Sequence, residues 1–158
     1  MAGCGFRPLY GANPGAAGAG VTDSLASIAI LQGDGRVDQI VYGDLLDRLT
    51  PFGTPREPRY ELRISLTELR EGVALERDAA VTRFNLTLEA AYVLRDASTR
   101  QTLTTGTVRA IAAYNVLLSE FANVAAARDA QERAAQVAAG EIETRLAVYF
   151  VGLVPDGP

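Results

Sequence analysis

Apolar and polar residues alternate with a period of two in three segments of the sequence, and this pattern limits the fold more than any other feature. The segments span residues 60–67, residues 83–94 and, more weakly, residues 108–116. Successive side chains of a β-strand point to opposite faces, so each segment is expected to have one covered face and one face that meets solvent or a partner. Residues 95–100 form a turn sequence that joins the second and third segments into a hairpin.

The remaining regular structure is predicted to be one short strand and two helices. Residues 27–31 are a short apolar run that indicates a buried strand, and residues 37–49 have helical spacing after a possible N-cap at Asp34. Ser119 is a suitable N-cap for a final helix over residues 120–150. The middle of its apolar stripe is mostly Ala, so it can approach a sheet closely, and the stripe comprises Phe121, Val124, Ala125, Ala135, Ala138, Ile142, Leu146, Tyr149 and Phe150.

The connection between the first two long strands is less regular. The phase of the alternation shifts at Leu69. We expect a bulge at this residue, followed by extensions of the strands around Val73 and Leu75.

The order of elements predicts an α+β fold, a two-layer sandwich in which two helices pack on one face of a four-stranded mixed sheet. A chain of 158 residues fits one such domain. Residues 1–20 hold the single Cys and a Gly- and Ala-rich stretch, which predicts a flexible N-terminal tether. Residues 21–152 are expected to form the domain, and residues 153–158, with Pro and Gly, a disordered C-terminus.

Composition argues against several classes of function. The net charge of -4 and the isoelectric point near 4.9 argue against nucleic-acid binding. The chain has no His, and no spacing of residues fits a zinc or calcium site. Charged residues three or four apart on the predicted helices, such as Asp129 with Arg133 and Glu141 with Arg145, are typical of exposed ion pairs and not of a catalytic pair of carboxylates. We therefore expect no catalytic residue, metal or cofactor, and a protein that acts by binding.

Cys4 is the single Cys, and its surroundings indicate a modification site. It follows Ala2 and Gly3, as in the lipobox of bacterial lipoproteins, in which cleavage makes the Cys the acylated first residue. Met1 stands where that pattern usually has Leu, so the rest of a signal peptide is expected upstream of it. Acyl chains on Cys4 would anchor the domain to a membrane without spanning it. The alternative is an incidental Cys near the N-terminus.

All 15 basic residues are Arg, and several fall on the predicted polar faces of strands or near loops. Arg83 and Arg109 lie on strand faces, Arg77 lies in the connection before the second long strand, and Arg128 lies early in the last helix. Arg donates paired hydrogen bonds to phosphate, so these residues could bind an anionic amphiphile whose acyl chains meet an apolar rim. The alternative for each of them is solvated surface charge.

Several strings of residues resemble the LptE family of lipopolysaccharide-assembly lipoproteins (RlpB), in its alphaproteobacterial branch. The strings are residues 4–11 (CGFRPLYG), 77–79, 82–83, 86–88, 114–116, 121–122, 128–130 and 144–147. They follow the family's order over nearly the whole chain. The resemblance implies two helices on a four-stranded sheet, in agreement with the pattern of the residues.

The resemblance also implies a role. A member of this family is an outer-membrane lipoprotein, tethered by palmitate and other lipid to the inner leaflet, that plugs and helps assemble the LptD β-barrel. It binds lipopolysaccharide on its way to the outer leaflet. The basic residues implied for that binding correspond most closely to Arg77 and Arg128, with Arg83 and Arg109 as further candidates. Two other hypotheses stay open: a general periplasmic ligand-binding lipoprotein without a barrel partner, and a small enzyme acting on envelope glycolipids.

Overall fold

A computed structural model of the chain describes residues 17–51, 53–73, 83–116 and 119–153. The described part confirms the predicted α+β fold, with a four-stranded mixed sheet and helices on one of its faces. The elements in chain order are α1 (Ala17–Ala26), β1 (Ile28–Ile30), α2 (Arg36–Leu49), β2 (Tyr60–Val73), β3 (Arg83–Asp96), β4 (Thr102–Asn115) and α3 (Glu120–Leu153).

Helix α1 was not expected from the sequence. It begins at Ala17, inside the stretch whose composition predicted a tether up to residue 20. Val21 and Leu25 lie one helical turn apart and are both buried in the core, so the apolar contact of these two side chains accounts for the helix. Residues 1–16, which hold Cys4 and most of the predicted tether, lie outside the described residues, as do residues 154–158.

The sheet has the order β1-β2-β3-β4. Strand β1 pairs with β2 in parallel, and the other pairs are antiparallel. The register of β2 against β3 runs without interruption from Tyr60 to Val73, so the bulge expected at Leu69 is wrong. The register of β3 against β4 does shift, between Leu94 and Arg95, opposite the first residues of β4. The strand extension at Val73 is confirmed, whereas Leu75 lies outside the described residues.

The register places even-numbered residues of the three long strands on the face that carries the helices. This covered face contributes a continuous set of buried side chains to the core: Leu62, Leu86, Leu88, Ala90, Tyr92, Leu94, Val108, Ala110 and Ala112. Helix α3 packs on β3 and β4, and α2 packs on α3 and beside β1 and β2. Burying one large aliphatic side chain contributes roughly 1.5–3 kcal/mol, so this face and the helix side chains packed on it contribute much of the driving force for folding.

Small residues allow α3 to lie close to its neighbours. Five Ala of its middle turns are fully or almost fully buried: Ala130, Ala134, Ala135, Ala138 and Ala139. Arg48 of α2 crosses to α3, where its guanidinium contacts Glu143 at 3.2 Å, and it also bonds Asp44 within α2 at 3.1 Å. The hydrogen bonds that Arg48 donates to Asp44 and, to a smaller extent, to Glu143 raise the pKa of Arg48 above its usual value, so the link stays charged throughout the physiological range.

The two helix starts differ from each other. Ser119 caps α3 as predicted, since its Oγ accepts a hydrogen bond from the N–H of Ala122 at 3.5 Å. Asp34 does not cap α2. The N-cap residue is Gly35, which makes no side-chain cap bond, and the side chain of Asp38 lies against Gly33 and Gly35 instead.

The sheet covers the Ala-rich middle of α3 but not its first turns. Phe121 is 83% exposed and Val124 is 47% exposed, and the buried stripe starts at Ala130. The reason is the size of the side chains beneath. Ala110 and Ala112 allow close approach in the middle of the sheet, whereas the large rings of Phe84 and Tyr114 occupy its end on the same face.

We predict that Gly106→Ala destabilises the protein by about 1–3 kcal/mol through overpacking. A Cβ on Gly106 would lie 2.5–2.8 Å from three atoms of the Tyr92 ring, which is only 5% exposed and has little space to move. Gly43→Ala in α2 is the matched control, since its Cβ meets nothing within 4 Å and should stabilise the helix by about 0.5–1 kcal/mol. Urea unfolding of both variants measures the difference, and an unchanged midpoint for Gly106→Ala would contradict the packing argument.

We also predict that the hairpin between β3 and β4 responds to acid through Asp96. Its carboxylate accepts hydrogen bonds from the Ser98 hydroxyl and from the backbone N–H of Thr99, which lower its pKa from 3.8 to about 2. A lowered pKa stabilises the fold above pH 3.8, and this contribution is lost as the pH falls through about 2.

In Asp96→Asn this pH dependence should disappear, and the melting temperature at neutral pH should decrease. Thermal unfolding between pH 2 and pH 6 measures both effects. Asp47→Asn, on the exposed side of α2, tests for a general effect of removing one negative charge. A variant at Asp96 with the wild-type acid response would show that the turn does not depend on the carboxylate.

Candidate functional site

An open groove lies where the first turns of α3 stand away from the end of the sheet. We call it the α3 groove. It encloses about 380 Å³, within the range of roughly 300–1,000 Å³ that is usual for sites of small ligands. Its lining consists of Arg70, Phe84, Tyr114, Val116, Glu120, Asn123, Val124, Ala127, Arg128 and Gln131.

The floor and one wall of the α3 groove are apolar. Phe84 and Tyr114 are register partners on β3 and β4, and their rings stack at 5.6 Å between centroids with 17° between planes. Val124 and Ala127 of α3 face them across the groove. A stack of two rings beside aliphatic side chains offers a flat surface for an extended hydrocarbon chain.

The charged rim of the α3 groove comes from two elements. Arg70 on β2 lies on the covered face of the sheet, and Arg128 extends from the third turn of α3. Arg128 forms no ion pair with any residue in the described ranges. Glu120 is the acidic residue of the lining. Among the described residues the rim therefore presents one guanidinium without a carboxylate partner, and a guanidinium binds a phosphate with paired hydrogen bonds.

Glu68 organises the side of the groove formed by the sheet. One of its carboxylate oxygens pairs with Arg70 at 2.6 Å, and the other accepts a hydrogen bond from Gln131 Nε2 of α3 at 2.7 Å. This carboxylate joins β2 to α3 next to the gap, so it limits how far the helix can move from the sheet. It also holds Arg70 in place, and partly neutralises it.

The structure does not bring the four predicted arginines together. Arg128 lies in the α3 groove, whereas Arg83 and Arg109 have odd numbers and lie on the other face of the sheet. Arg109 is beside Glu89, and Arg83 is beside Asn115 at the sheet end. Arg77 lies outside the described residues. A single site made of all four would require side chains from both faces of one sheet.

Sequence reasoning did not find most of the groove. The alternation places Phe84 and Tyr114 on the apolar faces of their strands, but it assigns no binding role to either of them or to Gln131. The strand pattern held a signal. Phe84 near the start of β3 and Tyr114 near the end of β4 carry large rings, whereas the preceding residues of β4 on the same face, Ala110 and Ala112, are small. Only the register of β3 against β4 shows that these two rings meet.

The second surface of interest is the face of the sheet opposite the helices, which we call the open face. No described element covers it. It is mostly polar, but Leu69, Thr87 and Ile111 form one row across β2, β3 and β4. Leu69 is 49% exposed and Ile111 is 62% exposed, while Thr87 between them is buried.

The described ranges offer little for catalysis or for crossing a membrane. These residues contain no group of three or more His, Cys, Asp or Glu that could hold a metal ion. Asp96, whose pKa is lowered, serves the hairpin turn far from the α3 groove, at the other end of β3. None of the described helices is both long and apolar enough to pass through a bilayer.

Comparisons with solved structures show the same fold in bacterial lipoproteins. A candidate lipoprotein from Caulobacter crescentus superposes with a TM-score of 0.71 at 28% identity, over 85% of this chain and 98% of that chain. Rare lipoprotein B from Shewanella oneidensis gives 0.61 at 14% identity, over 80% and 96% of the two chains. An uncharacterised lipoprotein B from Nitrosomonas europaea gives 0.59 at 16% identity, over 77% and 81%.

Other comparisons add no assignment, since no protein-family model and no curated protein sequence matches the chain. The solved structures support the LptE-like fold that the sequence predicted, because rare lipoprotein B is among them. The alphaproteobacterial branch stays a prediction.

Proposed function

We propose that this protein is an LptE-like outer-membrane lipoprotein that binds lipopolysaccharide through the α3 groove and assembles with the LptD β-barrel. The observation that carries the proposal is the combination of an apolar floor with a guanidinium at its rim that pairs with no carboxylate of the described residues, in a fold shared with rare lipoprotein B. Lipopolysaccharide joins acyl chains to phosphates, so its two parts match the two parts of the groove.

In the proposed complex an acyl chain lies along the stacked rings of Phe84 and Tyr114, and a phosphate binds Arg128. Arg70 adds a second guanidinium when the phosphate competes with Glu68 for it. The groove is too small for all the acyl chains of one lipopolysaccharide, so it would hold a single chain next to a phosphate. Binding of this kind is transient, as a protein that passes the lipid onward requires.

The open face supports the proposed barrel partner. Its exposed side chains include Arg63, Ser65, Thr67, Glu89, Thr107 and Arg109. Such residues can exchange hydrogen bonds with the polar lumen of a large outer-membrane barrel. The apolar row of Leu69 and Ile111 would then be buried against the wall and add the free energy of apolar burial to that of the polar contacts. Acylated Cys4 would place the domain at the periplasmic side of the membrane.

For ligand binding, Arg128→Glu should weaken lipopolysaccharide binding by about tenfold or more, because it removes a charge-assisted bond and adds repulsion. The fold should be unaffected, since Arg128 is exposed. Arg77→Glu is expected to act in the same direction.

The matched control for these variants is Arg56→Glu, which makes the same charge change in the loop before β2, at the opposite end of the sheet. Binding of fluorescent lipopolysaccharide, followed by anisotropy, measures all three variants. Equal affinity of Arg128→Glu and Arg56→Glu would remove Arg128 from the site.

For assembly, the full-length protein should co-purify with LptD from detergent-solubilised membranes. The double variant Leu69→Asp with Ile111→Asp should reduce the yield of that complex, because it places charges in the apolar row of the open face. The control on the same face is the double variant Thr67→Ser with Thr107→Ser. A complex that forms normally with the Asp variant would show that the barrel contacts another surface.

For the anchor, Cys4→Ala in the full-length protein should abolish incorporation of radioactive palmitate. Labelling of that variant would refute the lipobox. A general periplasmic ligand-binding lipoprotein remains the second candidate. It shares the α3 groove and Cys4, but it would purify without an outer-membrane barrel.

A further inference from the structure

Strand β4 forms one edge of the sheet over its whole length of 14 residues, whereas β1, at the other edge, has three residues. An edge strand presents a row of backbone N–H and C=O groups that can pair with another strand. The sequence of β4 contains no Pro, and Arg109 is its only charged residue. By these criteria β4 is a strand prone to pairing.

Two arginines of α3 reach over this edge. Arg133 Nη2 donates a hydrogen bond to the carbonyl of Ala113 at 3.0 Å, and Arg145 Nη1 donates one to the carbonyl of Thr107 at 2.9 Å. Backbone groups of a strand alternate between its two sides, so carbonyls six residues apart point the same way. Both arginines therefore bond the outward-facing side of β4, which lacks a neighbouring strand.

The positions of these arginines suit that contact. Twelve residues of helix separate them, about 18 Å at 1.5 Å per residue. Six residues of strand separate Ala113 from Thr107, about 20 Å at 3.3 Å per residue. Each guanidinium is also held from the preceding turn, Arg133 by Asp129 at 2.9 Å and Arg145 by Glu141 at 4.0 Å.

We infer that the outer edge of β4 is a latent pairing surface for a second copy of this chain, and that Arg133 and Arg145 keep it closed. Between the two bonded carbonyls, only residues 109 and 111 have outward-facing backbone groups, too few for a stable pair of strands. Without the arginines, the outward groups of residues 107–113 become available together.

A second copy is the occupant that the sequence of β4 favours. An antiparallel pair about a two-fold axis places the same edge against itself, so every outward donor meets an acceptor. With the axis at Ala110, Arg109 faces Ile111 of the second copy, and no like charges are directly opposite. This inference is independent of the proposed groove and barrel.

The test is Arg133→Ala with Arg145→Ala, measured by sedimentation velocity over a range of concentrations. The double variant should dimerise with a dissociation constant at least about tenfold lower than that of the wild type. Arg56→Ala with Arg63→Ala is the control, because it removes two exposed positive charges that lie on neither β4 nor α3. A double variant that stays monomeric under conditions where it is folded would overturn the inference.

Ile111→Pro distinguishes edge pairing from general association. The N–H of residue 111 points outward by the same alternation, so Pro there removes a donor to the second copy without removing one to β3. Added to the double variant, it should restore the monomer. The backbone amide of Arg109 should exchange more slowly with solvent in the dimer and return to the wild-type rate in the triple variant. Association that persists with Pro would also overturn the inference.

A milder pair of substitutions serves if the double variant does not fold. Asp129→Ala with Glu141→Ala leaves both arginines in place but removes the carboxylates that orient them, on an exposed side of α3. Dimerisation should then increase by a smaller factor than in the double variant. A strictly monomeric species in this folded pair, with no change in exchange at Arg109, would count against the inference in the same way.

Discussion

The close packing of α3 on the sheet is the interaction on which the other features depend. It is possible because the helix presents Ala130, Ala134 and Ala138 where β4 presents Ala110 and Ala112. Backbones that approach closely exclude water from the Leu and Ile side chains on either side of the contact, and this burial stabilises the two-layer arrangement. The ion pairs of Arg48 and Arg36 with α3 then fix α2 beside it.

The α3 groove and the closed edge of β4 both follow from the way α3 packs on the sheet. The rings of Phe84 and Tyr114 are too large for the helix to continue at the same height, so its first turns stand off and leave the α3 groove. The groove thus combines an apolar floor, which belongs to the sheet, with a charged rim on the helix. On the other side of α3, the same close approach brings Arg133 and Arg145 within reach of the outer carbonyls of β4.

The open face and the β4 edge make different demands on the protein. The open face is broad, mostly polar and carries one apolar row, which suits a large partner with a polar inner wall. The edge offers backbone groups with little side-chain selectivity, so pairing there would compete with binding of the proposed barrel partner. Guanidinium groups on the edge carbonyls restrict pairing and leave the faces of the sheet unaffected.

Much of the fold could be predicted from local patterns. Period-two alternation located β2, β3 and β4, helical spacing located α2 and α3, and Ser119 marked the start of α3. The failures were also local. A shift of phase at Leu69 resembled a bulge, although the strand continues with this Leu on the open face. Helix α1 was hidden by the small residues around its two buried side chains.

The sequence by itself determined the class of fold, the absence of His, the reliance on Arg for positive charge, and Arg128 as a candidate for binding. Tertiary structure alone decided which residues share a site. The register of β3 against β4 brings Phe84 to Tyr114, and it places Arg83 and Arg109 on the face away from Arg128. Spacing along a chain sets the face on which a side chain lies within its own element. Which elements become neighbours, and in what register, depends on contacts between residues distant in sequence, and a local pattern does not carry that information.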